Sequence, residues 1–513
     1  MFLRWNLALF LAFTGSKCYF SEENYTEESK MQQPTVVIAI IARNAAHSLP
    51  YYLGALERLN YPKDRISIWA ATDHNTDNTT AILREWLTVM QQFYHYVEWR
   101  PMDKPTSYAG ELGPKHWTNG RYEYLMKLKQ AALNFAKKRW ADYILFTDAD
   151  NILTNPETLN LLIAENKSVI APMLDSQSAY SNYWCGITPQ GYYRRTAEYF
   201  PTRRRYRTGC FPVPMVHSTM LLDLRKENTR RVAFHPPHTD YSWPFDDIIV
   251  FAFSCRVSEV QMYVCNKERY GYLNVPAKPH EQVEDDHVNF IHLYLEALID
   301  GPPMYVSPYI HVPPKQTDLM GFDEIYLINL RRRPDRRDRM LWSLYEMEIN
   351  AKVVDAVDGA ALNSSDIKLL GVDILPGYND PFNGRSLTKG EVGCFLIKLT
   401  FYYIWLTFAL SSQEPTGIIS HLNCRPVVLL ISSYSIEDYK SHFLNRNLQA
   451  FSTSPLLVQP AHYAGDPQWV SDTETSTLWD NDSVKTDWRG SYKTLKGGTP
   501  PAGVQSASYR DEL

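Results

Sequence analysis

The sequence predicts an α/β fold with a mostly parallel sheet over residues 30–318, followed by a second α/β domain. Short apolar runs rich in β-branched residues alternate there with stretches whose apolar residues recur at helical spacing. Strands that alternate with helices favour parallel pairing, with ligands bound outside the carboxyl ends of the strands. A chain of 513 residues, 44% hydrophobic and 21% charged, is long enough for two or three domains.

The elements of the first domain follow from this alternation. The predicted strands are 35–40, 66–71, 96–99, 143–147 and 169–173. The predicted helices cover 50–59, 121–138 and 248–253, and one more begins near 156. The helix over 121–138 places apolar residues on one face, which we expect to pack on the sheet. They are Leu125, Leu128, Ala132 and Phe135.

A second alternation begins with a predicted strand at 324–330. Basic residues from Arg331 to Arg337 follow it and lead into a helix that ends near Glu348. These basic residues have two interpretations: they bind a diphosphate, or they form a charged first turn of the helix.

Both ends of the chain carry targeting signals. Residues 1–18 combine Arg4, an apolar stretch over 5–13 and small polar residues, which is typical of a signal peptide too short to span a bilayer. The last four residues, Arg510, Asp511, Glu512 and Leu513, form a variant of the endoplasmic reticulum retrieval signal. We therefore expect a soluble protein of the endoplasmic reticulum lumen that binds the retrieval receptor and has no membrane span.

Composition bears on partners and modifications. A formal net charge of -5 gives no reason to expect nucleic acid as a partner. In an oxidising compartment, four cysteines of the first domain could form two disulfides in three ways; they are Cys185, Cys210, Cys255 and Cys265. Glycosylation sequons suit the same route and occur at Asn24, Asn166, Asn363 and Asn481. A further sequon at Asn78 falls in a segment assigned below to nucleotide binding, so we expect it to stay unmodified.

The pair Asp148 and Asp150 directly follows the predicted strand over 143–147. Two carboxylates at that spacing, where a strand gives way to a loop, can reach one divalent cation. Such a cation can bridge the phosphates of a nucleotide sugar and stabilise the departing diphosphate. The alternative is a solvated acidic loop.

Other polar residues also follow predicted strands, and parallel strands would bring them to the same edge of the sheet. They are Arg43, Asn44, Asp73, Asn75 and Asp77. Asp73 is placed to accept hydrogen bonds from a ribose or a base edge. Turn formation is the alternative for each of them, because Asp and Asn favour turns.

Asp246 and Asp247 precede the apolar helix over 248–253. One of them could be the base that takes a proton from an attacking hydroxyl group, or Asp could simply cap the helix. The basic residues Arg203, Arg204 and Arg205 are either a solvated loop or a contact for an extended polar acceptor.

Several long segments resemble the procollagen galactosyltransferases of glycosyltransferase family 25. They are 41–47, 71–75, 148–151, 209–218 and 245–251, within a similarity that runs from about 34 to 396. The resemblance implies a GT-A-type, Rossmann-like first domain, UDP-galactose as donor and Mn²⁺ on Asp148 and Asp150. It also implies hydroxylysine in a collagen-like polypeptide as acceptor, and a homodimer is left open. Around 191–200 the chain is similar to a paralogue regarded as inactive, so the alternative is a non-catalytic binding or cell-adhesion protein on the same scaffold.

The second domain, over 319–490, is similar to the family 25 domain that forms the second half of the collagen enzymes, but it is interrupted. The family pattern stops after Leu396, and the Glu-Asp-Asp that it would later contain does not occur. Residues 397–435 are therefore interpreted as foreign sequence that replaces core elements, from alternative splicing or an error in the gene model. The alternative is a real domain that has diverged. The apolar stretch 399–410 within them is too short to span a membrane. Residues 491–513 form a tail that ends in the retrieval signal.

Overall fold

A computed structural model of the chain describes residues 33–176, 179–301, 303–321, 324–369 and 389–397. They fall in two compact units that divide between Pro313 and Pro314. Several predicted features lie outside the described residues: the signal peptide, Asn24, Asn481, the segment 398–435 and the tail with its retrieval signal. None of the helices in the described ranges is both long enough and apolar enough to cross a membrane.

The first unit contains every strand and helix that the sequence predicts for it, and more. Its strands are β1 Val36–Ala42, β2 Ile66–Thr72, β3 Tyr96–Arg100, β4 Tyr143–Asp148, β5 Asn151–Ile152, β6 Val169–Pro172, β7 Tyr183–Trp184, β8 Gly186–Ile187, β9 Tyr193–Arg194, β10 Cys210–Val213, β11 Met215–Val216, β12 Thr219–Asp223, β13 Met262–Cys265 and β14 Tyr272–Leu273. Its helices are α1 Leu49–Glu57, α2 Thr79–Met90, α3 Asn119–Lys138, α4 Thr158–Ala164, α5 Tyr199–Arg203, α6 Glu227–Arg231, α7 Asp247–Val257 and α8 Val283–Asp300, with a 3-10 turn at Lys63–Arg65.

An eight-stranded sheet in the order β10-β13-β6-β12-β4-β1-β2-β3 forms the centre of this unit. The strands β4, β1, β2 and β3 are mutually parallel, and β13 is parallel to β6. Between these two parallel sets lies β12, antiparallel to both β4 and β6, and β10 is antiparallel to β13. The predicted α/β class with a mostly parallel sheet is confirmed.

The sheet is buried on both faces, which explains why its strands are continuous apolar runs. In β1, Val36, Ile38 and Ile40 pack in one core cluster, while Val37 and Ala39 pack in the other. Helices α1 and α2 cover the first face, and α3 and α7 cover the second.

The buried face of α3 differs from the predicted one. Leu128 and Ala132 are buried as expected, but Leu125 and Phe135 are only half-buried. The face also includes Lys129, 6% exposed. Apolar spacing cannot indicate a buried lysine, because the reason for its burial is a partner on another helix.

One disulfide is present in the first unit, between Cys210 of β10 and Cys265 of β13. The two residues face each other in the register of these antiparallel strands. Cys185 and Cys255 are free, so the two bridges that the cysteine count allows are not both formed. Cys255 lies fully buried on α7, among apolar side chains.

The second unit contains a strand–helix–strand element. β15 Tyr326–Asn329 pairs in parallel with β16 Lys352–Asp355, and α9 Pro334–Glu346 connects them. A 3-10 turn at Gly359–Ala361, helix α10 Ser364–Leu369 and helical residues 389–397 follow. Within the predicted basic cluster, Arg332 contacts Asp358 and Arg333 contacts Asp335 in the first turn of α9. These contacts favour the charged helix start.

Candidate active site

The predicted polar residues meet at one edge of the sheet because three neighbouring strands end there. Ala42 of β1 pairs with Thr72 of β2, and Ile41 of β1 pairs with Asp148 of β4. All three strands are parallel, so the residues that follow them share the carboxyl edge. The residues predicted to follow β1, β2 and β4 therefore lie at one edge of the sheet, and their roles in ligand binding stay predictions.

The turn that carries Asp148 and Asp150 is held from two sides. From α1, the Tyr52 hydroxyl donates to the Thr147 carbonyl at 3.1 Å, and Ser48 Oγ donates to the Ala149 carbonyl at 2.9 Å. From the other side, the Asp148 amide donates to the carbonyl of Ser218, just before β12, at 3.1 Å. The backbone between β4 and β5 is thereby fixed.

The two carboxylates are electrostatically unfavourable without a cation. Burial raises the pKa of Asp148, and the charge of Asp247 adds to this. Burial also raises the pKa of Asp150 to about 7, together with the charges of Asp148 and Asp286. A divalent cation would relieve this repulsion.

Carboxylate oxygens suit Mn²⁺ and similar hard cations, so the donor set of Asp148 and Asp150 fits the implied metal. Within the described ranges, the only three metal-ligand side chains that lie mutually within 4.8 Å are Glu165, Cys210 and Cys265. The two cysteines form the disulfide and offer no thiolate. A metal on the aspartates would therefore be completed by ligands outside a ready three-residue protein cluster, such as phosphate oxygens and water.

Asp73, directly after β2, is 3% exposed and accepts two short hydrogen bonds. One comes from the Tyr108 hydroxyl at 2.5 Å, and the other partner is Nδ1 of His74 at 2.5 Å. The Tyr108 and His74 rings stack with their centroids 3.8 Å apart. An aromatic pair beside a buried carboxylate suits a nucleoside, which offers a planar base and ribose hydroxyls.

Arg43, directly after β1, forms an ion pair with Glu111 at 2.5 Å, and its side chain is 8% exposed. Its guanidinium carbon lies 4.9 Å from the centroid of the Tyr108 ring. The Nε and Nη1 atoms of Arg43 are buried without a hydrogen-bond partner. These donors could serve a ligand.

The other residues predicted to bind the nucleotide stabilise the loops that follow β1 and β2. Asn44 Oδ1 accepts from the Thr76 amide, and Asn75 Oδ1 accepts from the Asn44 amide. Asp77 accepts from the Ala46 amide at 3.0 Å. The turn-forming interpretation is therefore correct for these three side chains, and their direct contact with a nucleotide stays a prediction.

Asp246 and Asp247 have different roles at the start of α7. Asp246 is the N-cap, and its carboxylate accepts from the amides of Ile248 and Ile249 at 2.8 and 3.2 Å. Burial raises the pKa of Asp246 to about 6, and the charge of Asp247 contributes. Asp247 instead forms an ion pair with Lys129 of α3 at 2.6 Å. Asp246 thus caps the helix, and Asp247 joins it to α3.

Two of the three arginines of the predicted basic loop form ion pairs within the first unit. Arg203 and Arg205 both bind the carboxylate of Asp175, at 2.6 and 2.9 Å. Arg203 and Arg205 thus belong to an ion-pair cluster with Asp175, whereas Arg204 is exposed. Contact of these arginines with an acceptor stays a prediction.

Sequence reasoning missed His74, Tyr108 and Lys129, described above, and also Lys115, which forms an ion pair with Asp286 of α8. Tyr108 and Lys115 lie in segment 101–118, which carries no regular element and no local pattern. Their importance comes only from the tertiary contacts that they make.

Comparison with known proteins identifies the family. Residues 33–294, just over half of the chain, match the family model described as "Glycosyltransferase family 25, N-terminal domain". Residues 322–406 match "Glycosyltransferase family 25 (LPS biosynthesis protein)". The chain belongs to glycosyltransferase family 25.

Two kinds of family 25 relative are similar to the chain. Procollagen galactosyltransferase 2 of Mus musculus is 48% identical, over 95% of this chain and 93% of the relative. Probable inactive glycosyltransferase 25 family member 3 of Bos taurus is 52% identical, over 90% of this chain and 91% of the relative. The family is therefore clear, while relatives named as transferases and as inactive are almost equally similar.

The comparisons also bear on the length of the chain, while the predicted interruption of the second domain stays a prediction. The alignment with the murine relative spans 580 positions, which exceeds the 513 residues of the chain, so it contains gaps in this chain. The match to the second family 25 model ends at residue 406.

Among solved structures, S. aureus TarS 1-349 is similar with a TM-score of 0.30 and 14% identity, over 52% of this chain and 66% of that chain. That score is too low to support an inference.

Proposed function

We propose that this family 25 protein transfers galactose from UDP-galactose to hydroxylysine in a collagen-like polypeptide, in the lumen of the endoplasmic reticulum. The observation that carries the proposal is the meeting of Asp73, Asp148 and Asp150 at one sheet edge. The similarity to proteins named procollagen galactosyltransferases supports the choice of sugar and acceptor. The sequence of the last four residues, Arg510 to Leu513, supports the location and binding to the retrieval receptor.

Donor binding would divide among the residues of the edge. Asp73 accepts hydrogen bonds from the ribose or base, and the Tyr108 and His74 rings lie beside it. Asp148 and Asp150 would hold Mn²⁺. When bound, this ion supplies positive charge that stabilises the departing diphosphate.

The acceptor would be activated by Asp246. Its carboxylate takes the proton from the hydroxylysine hydroxyl while that oxygen forms a bond to the anomeric carbon. The bond from the anomeric carbon to the phosphate oxygen breaks, and its electron pair leaves with UDP. We assign the base to Asp246, because burial raises its pKa to about 6, whereas Asp247 is held in the ion pair that joins α7 to Lys129 of α3.

A non-catalytic scaffold is the second candidate. It is favoured by the 52% identity to a relative named as probably inactive. It is also consistent with the structural roles of the two residues, since Asp246 caps a helix and Asp247 forms an ion pair.

Metal-dependent donor binding separates the two candidates. We would measure binding of UDP-galactose to the full chain with and without Mn²⁺, and repeat it with Asp148→Asn/Asp150→Asn. Asp64→Asn, at an exposed position, is the matched control. Mn²⁺-dependent binding that only the double variant loses supports the donor site, and transfer to hydroxylysine peptides is then assayed. A folded protein that binds neither Mn²⁺ nor UDP-galactose would contradict the donor site and favour the non-catalytic scaffold.

A further inference from the structure

Segment 101–118, between β3 and α3, is fastened to the candidate site by three side chains. Two of its contacts, from Tyr108 and Glu111, reach the nucleoside end of the site, as described above. The third is an ion pair between Lys115 and Asp286, in the first turn of α8. The segment thus connects the nucleoside end of the site to a second, charged region.

The ion pair of Lys115 with Asp286 is largely withdrawn from solvent. The lysine side chain is 12% exposed and the aspartate side chain 10%. Removing two charges from water costs several kcal/mol, which their attraction only partly offsets. A buried pair of this kind is a weak stabiliser, so its presence needs another explanation.

The pair lies beside the candidate metal carboxylates. Leu273 of β14 pairs with Asn151 of β5, and the neighbours of this pair along the chain are Asn274 and Asp150. Asn274 Nδ2 donates to Asp286 Oδ1 at 3.3 Å. The charges of Asp286 and Lys115 both act on the carboxyl group of Asp150, in opposite directions.

Buried polar atoms around Asp286 lack partners. Asn274 Oδ1 is buried without a hydrogen bond. The His47 side chain is 6% exposed and its Nε2 lies 3.6 Å from Asp286 Oδ2. Neither ring nitrogen of His47 makes a hydrogen bond. Unsatisfied buried groups of this kind are rare and indicate a region that a polar ligand completes.

We propose that Lys115 is a diphosphate-binding residue, held by Asp286 in the donor-free protein and transferred to the donor diphosphate when the nucleotide sugar binds. This inference rests on the proposed function. A divalent cation held by Asp148 and Asp150 would offset the negative charge that these two residues share with Asp286. Asp286 would then need the positive charge of Lys115 less. The ammonium group then donates to phosphate oxygens, as a flexible lysine is suited to do.

Lys115 could have either of two roles: it binds the diphosphate, or it only holds segment 101–118 in place. If Lys115 only holds the segment in place, its loss should disturb the whole donor pocket, including the nucleoside end at Tyr108. A phosphate ligand acts only on the diphosphate. UDP and uridine differ in that part alone, so their affinities report the two roles separately.

The test uses the full chain at saturating Mn²⁺, with calorimetric titration of UDP and of uridine. Lys115→Met is expected to weaken UDP binding by about 10- to 100-fold, the size of one charge-assisted hydrogen bond, and to leave uridine binding unchanged. Lys115→Arg is expected to recover most of the UDP affinity. Lys127→Met is the control, since Lys127 pairs with Glu123 on the surface, where the side chains are 51% and 47% exposed.

If Lys115→Met weakens the binding of UDP and of uridine equally, Lys115 only holds the segment in place and the inference is overturned. Unchanged UDP binding would also overturn it. Failure of the wild-type chain to bind UDP would overturn the proposed function itself, and the inference with it. The two failures are therefore distinguishable.

Discussion

The ammonium nitrogen of Lys129 lies 2.6 Å from a carboxylate oxygen of Asp247, and each side chain is only 8% exposed. Burial alone would lower the pKa of Lys129, but the charges of Asp247 and Asp148 raise it instead. The lysine therefore stays charged inside the protein. The pair joins α3 to the first turn of α7, and so sets the position of the candidate base Asp246.

Replacing Lys129 should destabilise the fold strongly. Lys129→Met leaves the buried carboxylate of Asp247 without a partner, which is expected to cost about 3–5 kcal/mol in the free energy of unfolding. Lys129→Met/Asp247→Asn should recover a large part of this loss, because the unpaired charge is gone. Urea denaturation measures both, with Lys127→Met as a surface control expected to change stability by less than about 0.5 kcal/mol. A loss below about 1 kcal/mol for the single variant would contradict the role given to the pair.

The rate of transfer should depend on the ionisation of Asp246. Its pKa is raised to about 6 by burial and by the charge of Asp247. A base works in its ionised form, so kcat/KM is expected to fall as the pH drops below about 6 and to level off above it. The pH profile of galactose transfer at saturating Mn²⁺ checks this.

Asp246→Asn and Asp246→Ala separate the base from the cap. Asparagine is as good an N-cap as aspartate, whereas alanine costs about 1 kcal/mol. Both variants should lose about 10²- to 10⁴-fold in kcat, but only Asp246→Ala should also unfold at lower denaturant concentration. Near-normal turnover by a well-folded Asp246→Asn would remove Asp246 from the mechanism.

In the absence of metal, Asp150 should destabilise the protein at neutral and alkaline pH. Its folded pKa of about 7 lies above the ordinary carboxyl value. The stability that protonation provides is thus complete in acid and is lost as the pH rises through 7. We expect Asp150→Asn to raise the free energy of unfolding by about 1–3 kcal/mol at pH 8 without Mn²⁺. The difference should shrink towards pH 4. Thermal unfolding across this range measures it, and a variant less stable than the wild type at pH 8 would refute the electrostatic account.

The disulfide between Cys210 and Cys265 should stabilise the β10 edge of the sheet. It closes a loop with a sequence separation of 55 residues, so its loss in Cys210→Ser/Cys265→Ser is expected to cost about 2–4 kcal/mol. Cys185→Ser, at a free cysteine, is the control and should change stability little. Thermal unfolding with and without reductant compares them. If reductant lowers the wild-type midpoint no more than that of the double variant, the bridge is not formed.

The parts of the fold that repeat locally could be predicted from sequence, and the parts set by distant contacts could not. The continuous apolar runs of β1, β2 and β4 predicted a parallel sheet and placed Asp73, Asp148 and Asp150 at its carboxyl edge. Nothing local predicted that β12 would enter the sheet in the opposite direction, because a short apolar strand has no signature of its direction.

The finer chemistry of the site escaped the sequence for the same reason. The buried Lys129 looks like a surface residue until Asp247 is placed beside it. Tyr108 and Lys115 lie in a segment without periodicity and gain their roles from Asp73 and Asp286. Conversely, Asn44, Asn75 and Asp77 were recognised as polar residues after strands, but their hydrogen bonds serve the loops.

The antiparallel strand β12 has a consequence for biosynthesis. It is the only connection in the sheet order between the set β4-β1-β2-β3 and the pair β6-β13, yet it comes after both β4 and β6 along the chain. Until residue 223 has emerged from the ribosome, β4 and β6 each present an open edge to other chains. The nascent chain therefore passes through a stage in which β6 is separated from the set β4-β1-β2-β3 and also lacks β13, which is synthesised after β12. During that stage, protection by chaperones matters more for this protein than for one whose strands pair in the order of synthesis.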